Sequence, residues 1–305
     1  MKLPAAGPSP FFRKVLVATD GRPLADGALR VAHAVAERTG AALEEAAIFE
    51  PRVPVPGAGV SRGSSQCEEM DAPELAALAS KVREQRRRIA GTGPVWPVHL
   101  AVGYPASMIE RIAEREQSDL IVAGIGRGGP DVQVFTKETA LALAFSADVP
   151  VLATAHDADG LPRRALVVVD FDDTSLRAAR LVQELVADDA TIHLLHVSRN
   201  AATTNGAVRR LFEEAEGTGA ARGIEFRRTV VEGDAATETL AAAEQWDVGL
   251  IVAPLKGATV VQRSLGDTLA APLLRGSSCS VLIVPEGPVE RSRDAEVARR
   301  PGETS

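Results

Sequence analysis

Short apolar runs alternate with amphipathic segments along the chain. The runs 15–20 and 166–170 are rich in valine, and each ends at an aspartate, Asp20 or Asp170. Continuous apolar runs of this kind are typical of strands buried on both faces of a parallel sheet. Because apolar residues follow each aspartate at helical spacing, each run predicts a strand that leads directly into a helix.

The same pattern occurs twice in the chain. The segment KVLVATDGRPLADGALRVAHAVA, from Lys14, corresponds to RALVVVDFDDTSLRAARLVQELV, from Arg164. Further on, VGYPASMIERIAEREQSDLIVA, from Val102, corresponds to EGDAATETLAAAEQWDVGLIVA, from Glu232. A repeat of this length indicates two homologous domains, which we predict over 11–156 and 163–286.

Each copy contains five predicted strands that alternate with helices. This order predicts two tandem α/β domains, each with a doubly wound, five-stranded parallel sheet. The second strand is clear in the second copy, at 191–198, and weak in the first, at 42–50. There Glu44 and Glu45 fit a strand that is buried on both faces poorly.

Two segments fall outside the repeat. Residues 51–70 are rich in proline, glycine and serine, which predicts a surface loop inserted in the first domain, with a lid over the cleft as the alternative. Residues 287–305 have mixed charge and little apolar content, so we expect a disordered tail.

Composition restricts the classes of function. The chain has 305 residues, is 45% hydrophobic and carries a net charge of −7, which favours a globular protein and argues against a nucleic-acid partner. Its two cysteines, Cys67 and Cys279, cannot form a disulfide framework or a four-cysteine zinc site. Neither a signal peptide nor an apolar stretch of about 20 residues is found, so we expect a cytoplasmic protein without a membrane partner.

Several motifs together resemble the universal stress protein family. They are the strand that ends at Asp20, the helix LADGALRVA, the turn VGYPAS, the segment DLIVAGIGRGG and the final strand CSVLIV. The resemblance covers both copies. It implies strand order 3-2-1-4-5, pairing of the two copies through their last strands as an internal pseudo-dimer, and in some members ATP at the carboxyl ends of strands 1 and 4. A further homodimer and protein partners of unknown identity are also compatible with it.

The family's ATP signature is a glycine, two residues, a second glycine, nine residues, then a glycine followed by serine or threonine. In the first copy Ala123 stands at the first position and Gly126 at the second, while Thr136 and Lys137 replace the final pair. The resemblance thus implies a weak or altered nucleotide site in domain 1. Its candidate residues match the signature, its glycine-rich segment or the end of strand 1: Asp20, Gly21, Ala123, Gly126, Arg127, Gly128, Thr136 and Lys137. Asp20 is equally compatible with a cap in the turn between strand and helix.

In the second copy the signature is more strongly altered. Ala253 and Lys256 replace the first two glycines, and Asp267 follows Gly266 where a hydroxyl residue belongs. A carboxylate at that position repels a triphosphate, and Asp172 adds negative charge beside Asp170. We therefore expect no ATP site in domain 2.

Other candidate chemistry is weak. His193 and His196 lie three apart on a strand, so they point to opposite faces and cannot chelate one metal. His99 has no acidic neighbour at ligand spacing, and we expect no metal site. The run 86–88 of three arginines predicts a solvated helical face. Cys279 is expected to be a small residue at the start of a buried strand, while Cys67 is the better candidate for oxidation.

Two functions of different class are therefore open. The first is a nucleotide-binding regulator with one site in domain 1. The second is a nucleotide-free interaction protein of the stress response, which the altered signature slightly favours. A slow ATPase comes third, because no general base or metal-ligand cluster is recognisable and catalysis is not expected.

Overall fold

The computed structural model describes residues 11–50, 72–91, 95–125, 136–170, 172–198, 222–256 and 268–286. The predicted loop 51–70 and tail 287–305 lie outside the described residues, as do Cys67 and the glycine-rich segment 126–129.

Strands and helices alternate as the sequence pattern predicts. The strands are β1 (Lys14–Thr19), β2 (Ala42–Phe49), β3 (Val98–Val102), β4 (Leu120–Ile125), β5 (Val151–Ala155), β6 (Arg164–Val168), β7 (Thr191–Ser198), β8 (Glu225–Glu232), β9 (Leu250–Leu255) and β10 (Ser280–Pro285). The helices are α1 (Asp26–Thr39), α2 (Ala72–Ala90), α3 (Pro105–Glu116), α4 (Lys137–Ser146), α5 (Asp173–Glu184), α6 (Ala235–Gln245) and α7 (Ala270–Gly276). A short 3-10 turn, Pro23–Ala25, precedes α1.

All ten strands form one sheet, in the order β3-β2-β1-β4-β5-β10-β9-β6-β7-β8. Within the first domain the order is 3-2-1-4-5, as the family resemblance implies, and every pair is parallel. The second domain repeats this order. The predicted doubly wound α/β fold is confirmed.

The two domains meet where β5 and β10 pair antiparallel, with Leu282 opposite Leu152. The internal pairing through the last strands thus joins the two sheets into one. Apolar residues pack on both faces of this sheet: one cluster includes α1 and α5, and the other includes α3, α4, α6 and α7. Both clusters continue from one domain into the other.

Strand β2 forms despite the two glutamates that made it a poor candidate. The Glu45 side chain is fully buried, and its Oε2 accepts hydrogen bonds from Arg86 Nη2 (2.9 Å) and Trp96 Nε1 (3.0 Å). The Arg86 guanidinium also lies 4.9 Å from the centre of the Trp96 ring. A buried carboxylate is tolerated here because α2 supplies the cation that neutralises it.

The prediction of a solvated face for the three arginines is therefore wrong for Arg86, which points inward. Arg88 pairs with Asp26 at the start of α1 (2.8 Å), and only Arg87 lies largely in solvent, beside Glu84. Sequence alone could not separate these roles, because they depend on how α2 docks against the sheet.

No helix in the described part of the chain is long and apolar enough to cross a membrane.

Candidate functional site

The candidate site lies at the carboxyl ends of β1 and β4, which we call the first-domain edge. Strand order reverses between these two strands, since β2 follows β1 on one side and β5 follows β4 on the other. In an open α/β sheet such a reversal leaves a crevice between the crossover connections, where ligands bind. Asp20 directly follows β1 and Ile125 is the last residue of β4.

Asp20 has one satisfied and one unsatisfied carboxylate oxygen. Oδ1 accepts a hydrogen bond from the Arg22 backbone N–H (3.0 Å), which fixes the turn into α1. Oδ2 is buried and accepts no hydrogen bond from a described residue, although the Arg22 Nε lies 3.6 Å away. Burial raises the pKa of Asp20, against the opposing effects of Arg22 and Lys81. The aspartate is therefore both a turn residue and a buried acceptor that lacks a hydrogen-bond donor among the described residues.

Gly21 is required by the packing of α2 over the turn. Its φ of +74° lies in the left-handed region that glycine favours. A Cβ at this position would lie 2.7 Å from Lys81 Cβ and 2.9 Å from the Val82 backbone nitrogen. The structure thus accounts for Gly21 by helix packing, and its predicted contact with a ligand stays a prediction.

Helix α2 brings two polar residues to this edge that the sequence analysis missed. Gln85 is fully buried; its Oε1 accepts from Thr19 Oγ1 (2.6 Å), and its Nε2 donates to Asp26 Oδ1 (2.8 Å) and to the Arg22 carbonyl (3.1 Å). Lys81 is close enough for its charge to act on Asp20. The sequence offered one sign of this role: Gln85 is a polar residue on the side of the predicted helix that faces the sheet.

On β4, Ala123 is buried in the sheet and its carbonyl accepts from Thr154 Oγ1 (3.2 Å). At the next residue, Gly124, a Cβ would lie 3.3 Å from the Ala25 Cα. Gly124 therefore lets the start of α1 pack against β4, a role that our alignment of the signature did not assign. Gly126, Arg127 and Gly128 lie outside the described residues, so their predicted contacts with a ligand stay predictions.

Thr136 and Lys137 begin helix α4. Thr136 is its N-cap, and its Oγ1 accepts from the Thr139 backbone N–H (3.2 Å). Lys137 Nζ donates to two carbonyl oxygens of the other domain, at Arg275 (2.8 Å) and Ser277 (3.1 Å). These carbonyls close helix α7, whose C-terminus attracts a cation. The structure thus places Lys137 at the domain junction, and our expectation that it contacts phosphate is not supported by this geometry.

The corresponding edge of the second domain, at the carboxyl ends of β6 and β9, is satisfied internally. Ser175 Oγ donates to Asp170 Oδ1 (2.8 Å), and Lys256 Nζ pairs with Asp170 Oδ2. The same ammonium lies 3.4 Å from Asp172 Oδ2, while Asp172 Oδ1 caps α5 through the Ser175 backbone N–H (2.8 Å). Both oxygens of Asp170 therefore have partners within the chain.

The charges of this second-domain edge support one another. The hydrogen bond and charge of Asp170 raise the pKa of Lys256. Burial acts to raise the pKa of Asp172, but the hydrogen bonds from Ser175 and the charge of Lys256 outweigh it, so this pKa is lowered. Lys256 thus neutralises the carboxylates of this edge from within the chain.

One cluster in the described residues has the composition of a metal site: Glu44, His99 and Glu116. This corrects the expectation that His99 has no acidic neighbours, because the fold brings both glutamates to it. The cluster is already neutralised, since Glu44 Oε1 pairs with Lys14 (2.8 Å) and Arg115 Nη2 contacts His99 Nδ1 (3.0 Å). A cation would have to displace these two positive side chains.

The remaining candidates have structural roles. His193 stacks on Trp246 with ring centres 4.4 Å apart, while His196 Nδ1 contacts the Val169 carbonyl (2.8 Å). Burial raises the pKa of the Cys279 thiol, so it is not activated as a thiolate.

Comparison with known proteins supports the architecture. The model of the universal stress protein family matches residues 11–155 and 162–285. A search of curated proteins finds no significant match. The structure of a universal stress protein from Archaeoglobus fulgidus is 18% identical, with a TM-score of 0.63, and the alignment covers 90% of this chain and 99% of that one. A putative universal stress protein from Pseudomonas aeruginosa is also 18% identical, with a TM-score of 0.60 and coverage of 90% and 94%.

Proposed function

Because the chain belongs to the universal stress protein family, we propose that it acts in the stress response as a binding and signalling module whose first domain alone accepts a nucleotide. The observation that carries this proposal is the difference between the aspartates after the first strands. Asp20 keeps a buried oxygen without a hydrogen-bond donor among the described residues, whereas both oxygens of Asp170 are paired.

A buried acceptor without a donor costs the folded protein about 1–3 kcal/mol, which a ligand that brings a hydroxyl or amine hydrogen recovers. A nucleotide offers such donors on its sugar and base. Lys81 and Arg22 lie near the carboxylate and supply positive charge for the phosphate end. Lys137 Nζ donates to two carbonyl oxygens of the second domain.

We expect the affinity for nucleotide to be low, with a dissociation constant on the order of 0.1–1 mM. The signature lacks its final glycine and hydroxyl residue, and the cation that replaces them is used elsewhere. Binding that follows the cellular nucleotide concentration suits a regulatory module. The described residues at this edge also include no metal-ligand cluster to support hydrolysis.

The test is calorimetric titration of the full chain with Mg-ATP. Asp20→Asn exchanges the unsatisfied acceptor for a donor, so we expect it to weaken binding about tenfold or more. Asp170→Asn is the matched control in the second domain and is expected to leave the affinity unchanged. Absence of binding at millimolar nucleotide, or equal sensitivity to both variants, would contradict the proposal.

A further inference from the structure

The cluster of Glu44, His99 and Glu116 lies at the amino ends of the first strands, at the opposite end of the sheet from the candidate nucleotide site. Glu44 is near the start of β2, His99 is near the start of β3, and Glu116 is the last residue of α3. Their ligand atoms lie within 4.8 Å of one another. Imidazole nitrogen combined with carboxylate oxygen is a donor set that suits zinc better than magnesium or calcium.

The contacts of His99 determine which ring nitrogen carries the proton. Arg115 Nη2 lies 3.0 Å from His99 Nδ1, and an arginine can only donate, so Nδ1 is the unprotonated acceptor. The proton is then on Nε2, which donates to Glu44 Oε2 (2.8 Å). Lys14 Nζ pairs with the other oxygen of Glu44 (2.8 Å). His99 is therefore held as the neutral Nε2–H tautomer, with the lone pair of Nδ1 directed at a cation.

Glu44 has the position of an outer-shell partner of a metal-binding histidine. Such a histidine binds the ion through one ring nitrogen and donates the N–H of the other to a carboxylate, which fixes the tautomer and the orientation of the ring. The hydrogen bond from His99 Nε2 to Glu44 is this second contact. Glu44 is thus a positioning residue that need not touch the ion.

Arg115 contacts the two atoms that a metal would bind. Its Nε donates to Glu116 Oε1 (2.7 Å), and its Nη2 donates to His99 Nδ1. These two acceptors are 3.8 Å apart, and zinc, with bonds of about 2.0–2.2 Å, reaches both after a small side-chain rotation. The Arg115 side chain is 61% exposed, so water competes for its bonds and they are weak. A cation held by all three residues of the cluster would also displace Lys14, whereas one held by His99 and Glu116 displaces Arg115 alone.

We propose that His99 Nδ1 and the Glu116 carboxylate form a zinc site for which the Arg115 guanidinium competes, with Glu44 orienting the imidazole. Zinc takes the place of the guanidinium, and water fills its remaining coordination positions. The C-terminus of α3 adds to the attraction, because the last carbonyls of a helix favour a cation. Two protein ligands and a competing side chain keep the affinity low, so the site binds zinc reversibly.

The experiment is a titration of the full chain, labelled with ¹⁵N at histidine, with Zn²⁺. Nuclear magnetic resonance follows the two ring nitrogens of His99, which the variant His99→Gln assigns. We expect the Nε2–H tautomer before zinc is added. Zinc should then shift the Nδ1 resonance while Nε2 stays protonated. Mg²⁺ prefers oxygen ligands and should shift neither resonance.

Variants of the surrounding residues test the role of each in zinc binding. Glu116→Gln removes a ligand and Glu44→Gln weakens the contact that orients the ring, so each should lower the affinity measured at His99 about tenfold or more. Arg115→Gln removes the competing cation and should raise that affinity about threefold or more. Arg111→Gln is the matched control. Arg111 is exposed one turn earlier on α3, so this variant removes the same charge without opening the site, and the affinity should be unchanged.

Three results would overturn the proposal. They are a His99 proton on Nδ1 before zinc is added, zinc binding that leaves Nδ1 unshifted, and equal affinity in Arg115→Gln and Arg111→Gln. Zinc that binds only elsewhere in the chain gives the second result. If circular dichroism shows that Glu116→Gln does not fold, Arg115→Gln still decides the question, because unfolding cannot raise the affinity of the site.

Discussion

At the scale of single residues, Asp20 shows a cost that its counterpart Asp170 avoids. The Oδ2 atom of Asp20 is buried and accepts no hydrogen bond from a described residue. Burial raises the pKa of the carboxyl group. Residues that lower the stability of the folded chain in this way are commonly kept for binding. Lys256 removes the same cost in the second domain by pairing with Asp170.

The pH dependence of stability follows from the Asp20 pKa. The folded state favours the protonated form of Asp20, because burial raises its pKa. The contribution of Asp20 to the stability of the folded protein is therefore fully present at low pH and is lost as the pH rises through the folded-state pKa. Asparagine cannot ionise, so at pH 7 we expect Asp20→Asn to raise the free energy of unfolding by about 1 kcal/mol, with the difference disappearing in acid. Urea unfolding at several pH values measures this. A variant that is less stable at pH 7 would show that the carboxylate is satisfied in the folded protein.

At the scale of elements, α2 assembles the first-domain edge. It covers Gly21, joins β1 to α1 through Gln85, and neutralises the buried Glu45 through Arg86. The sequence predicted the strands and the aspartate at the end of β1, because apolar runs and strand ends are local features. It could not predict the partners of Gln85, Arg86 or His99, which are set by how distant elements pack.

The buried pair on α2 and β2 gives a second stability prediction. Arg86→Met leaves the Glu45 carboxylate without its cation, so we expect the free energy of unfolding to fall by about 3–5 kcal/mol. Adding Glu45→Gln should recover most of that loss, because it removes the uncompensated charge. Urea unfolding of both single variants and the double variant measures the coupling. Arg87→Met, at an exposed position of the same helix, is the control. Independent, additive losses would show that the two side chains do not interact.

At the scale of the whole molecule, the two repeats form one continuous sheet, and their candidate ligand edges differ in charge pairing. Pairing of β5 with β10 joins the domains, and Lys137 reaches from α4 to the C-terminus of α7. A residue that matched the ligand signature by position thus lies at the domain junction. Its place depends on the docking of the two domains, and one copy of the motif carries no information about that.

A substitution at Lys137 therefore distinguishes a structural role at the domain junction from a role in ligand binding. Lys137→Gln removes a charge that interacts with the last carbonyls of α7, so we expect the free energy of unfolding to fall by about 1 kcal/mol. The affinity for Mg-ATP should stay within about twofold of wild type. Thermal unfolding and calorimetry measure the two quantities. Lost binding with unchanged stability would place Lys137 at the phosphates after all.

The central claim is that two domains of the same fold offer one ligand site per chain. Equilibrium dialysis of the full chain against labelled ATP at millimolar concentration measures the number of sites directly. Our proposal predicts one site per chain, which is lost in Asp20→Asn and kept in Asp170→Asn. Two sites per chain, or one site that depends on Asp170, would contradict the account, because the second-domain edge would then be accessible despite Lys256.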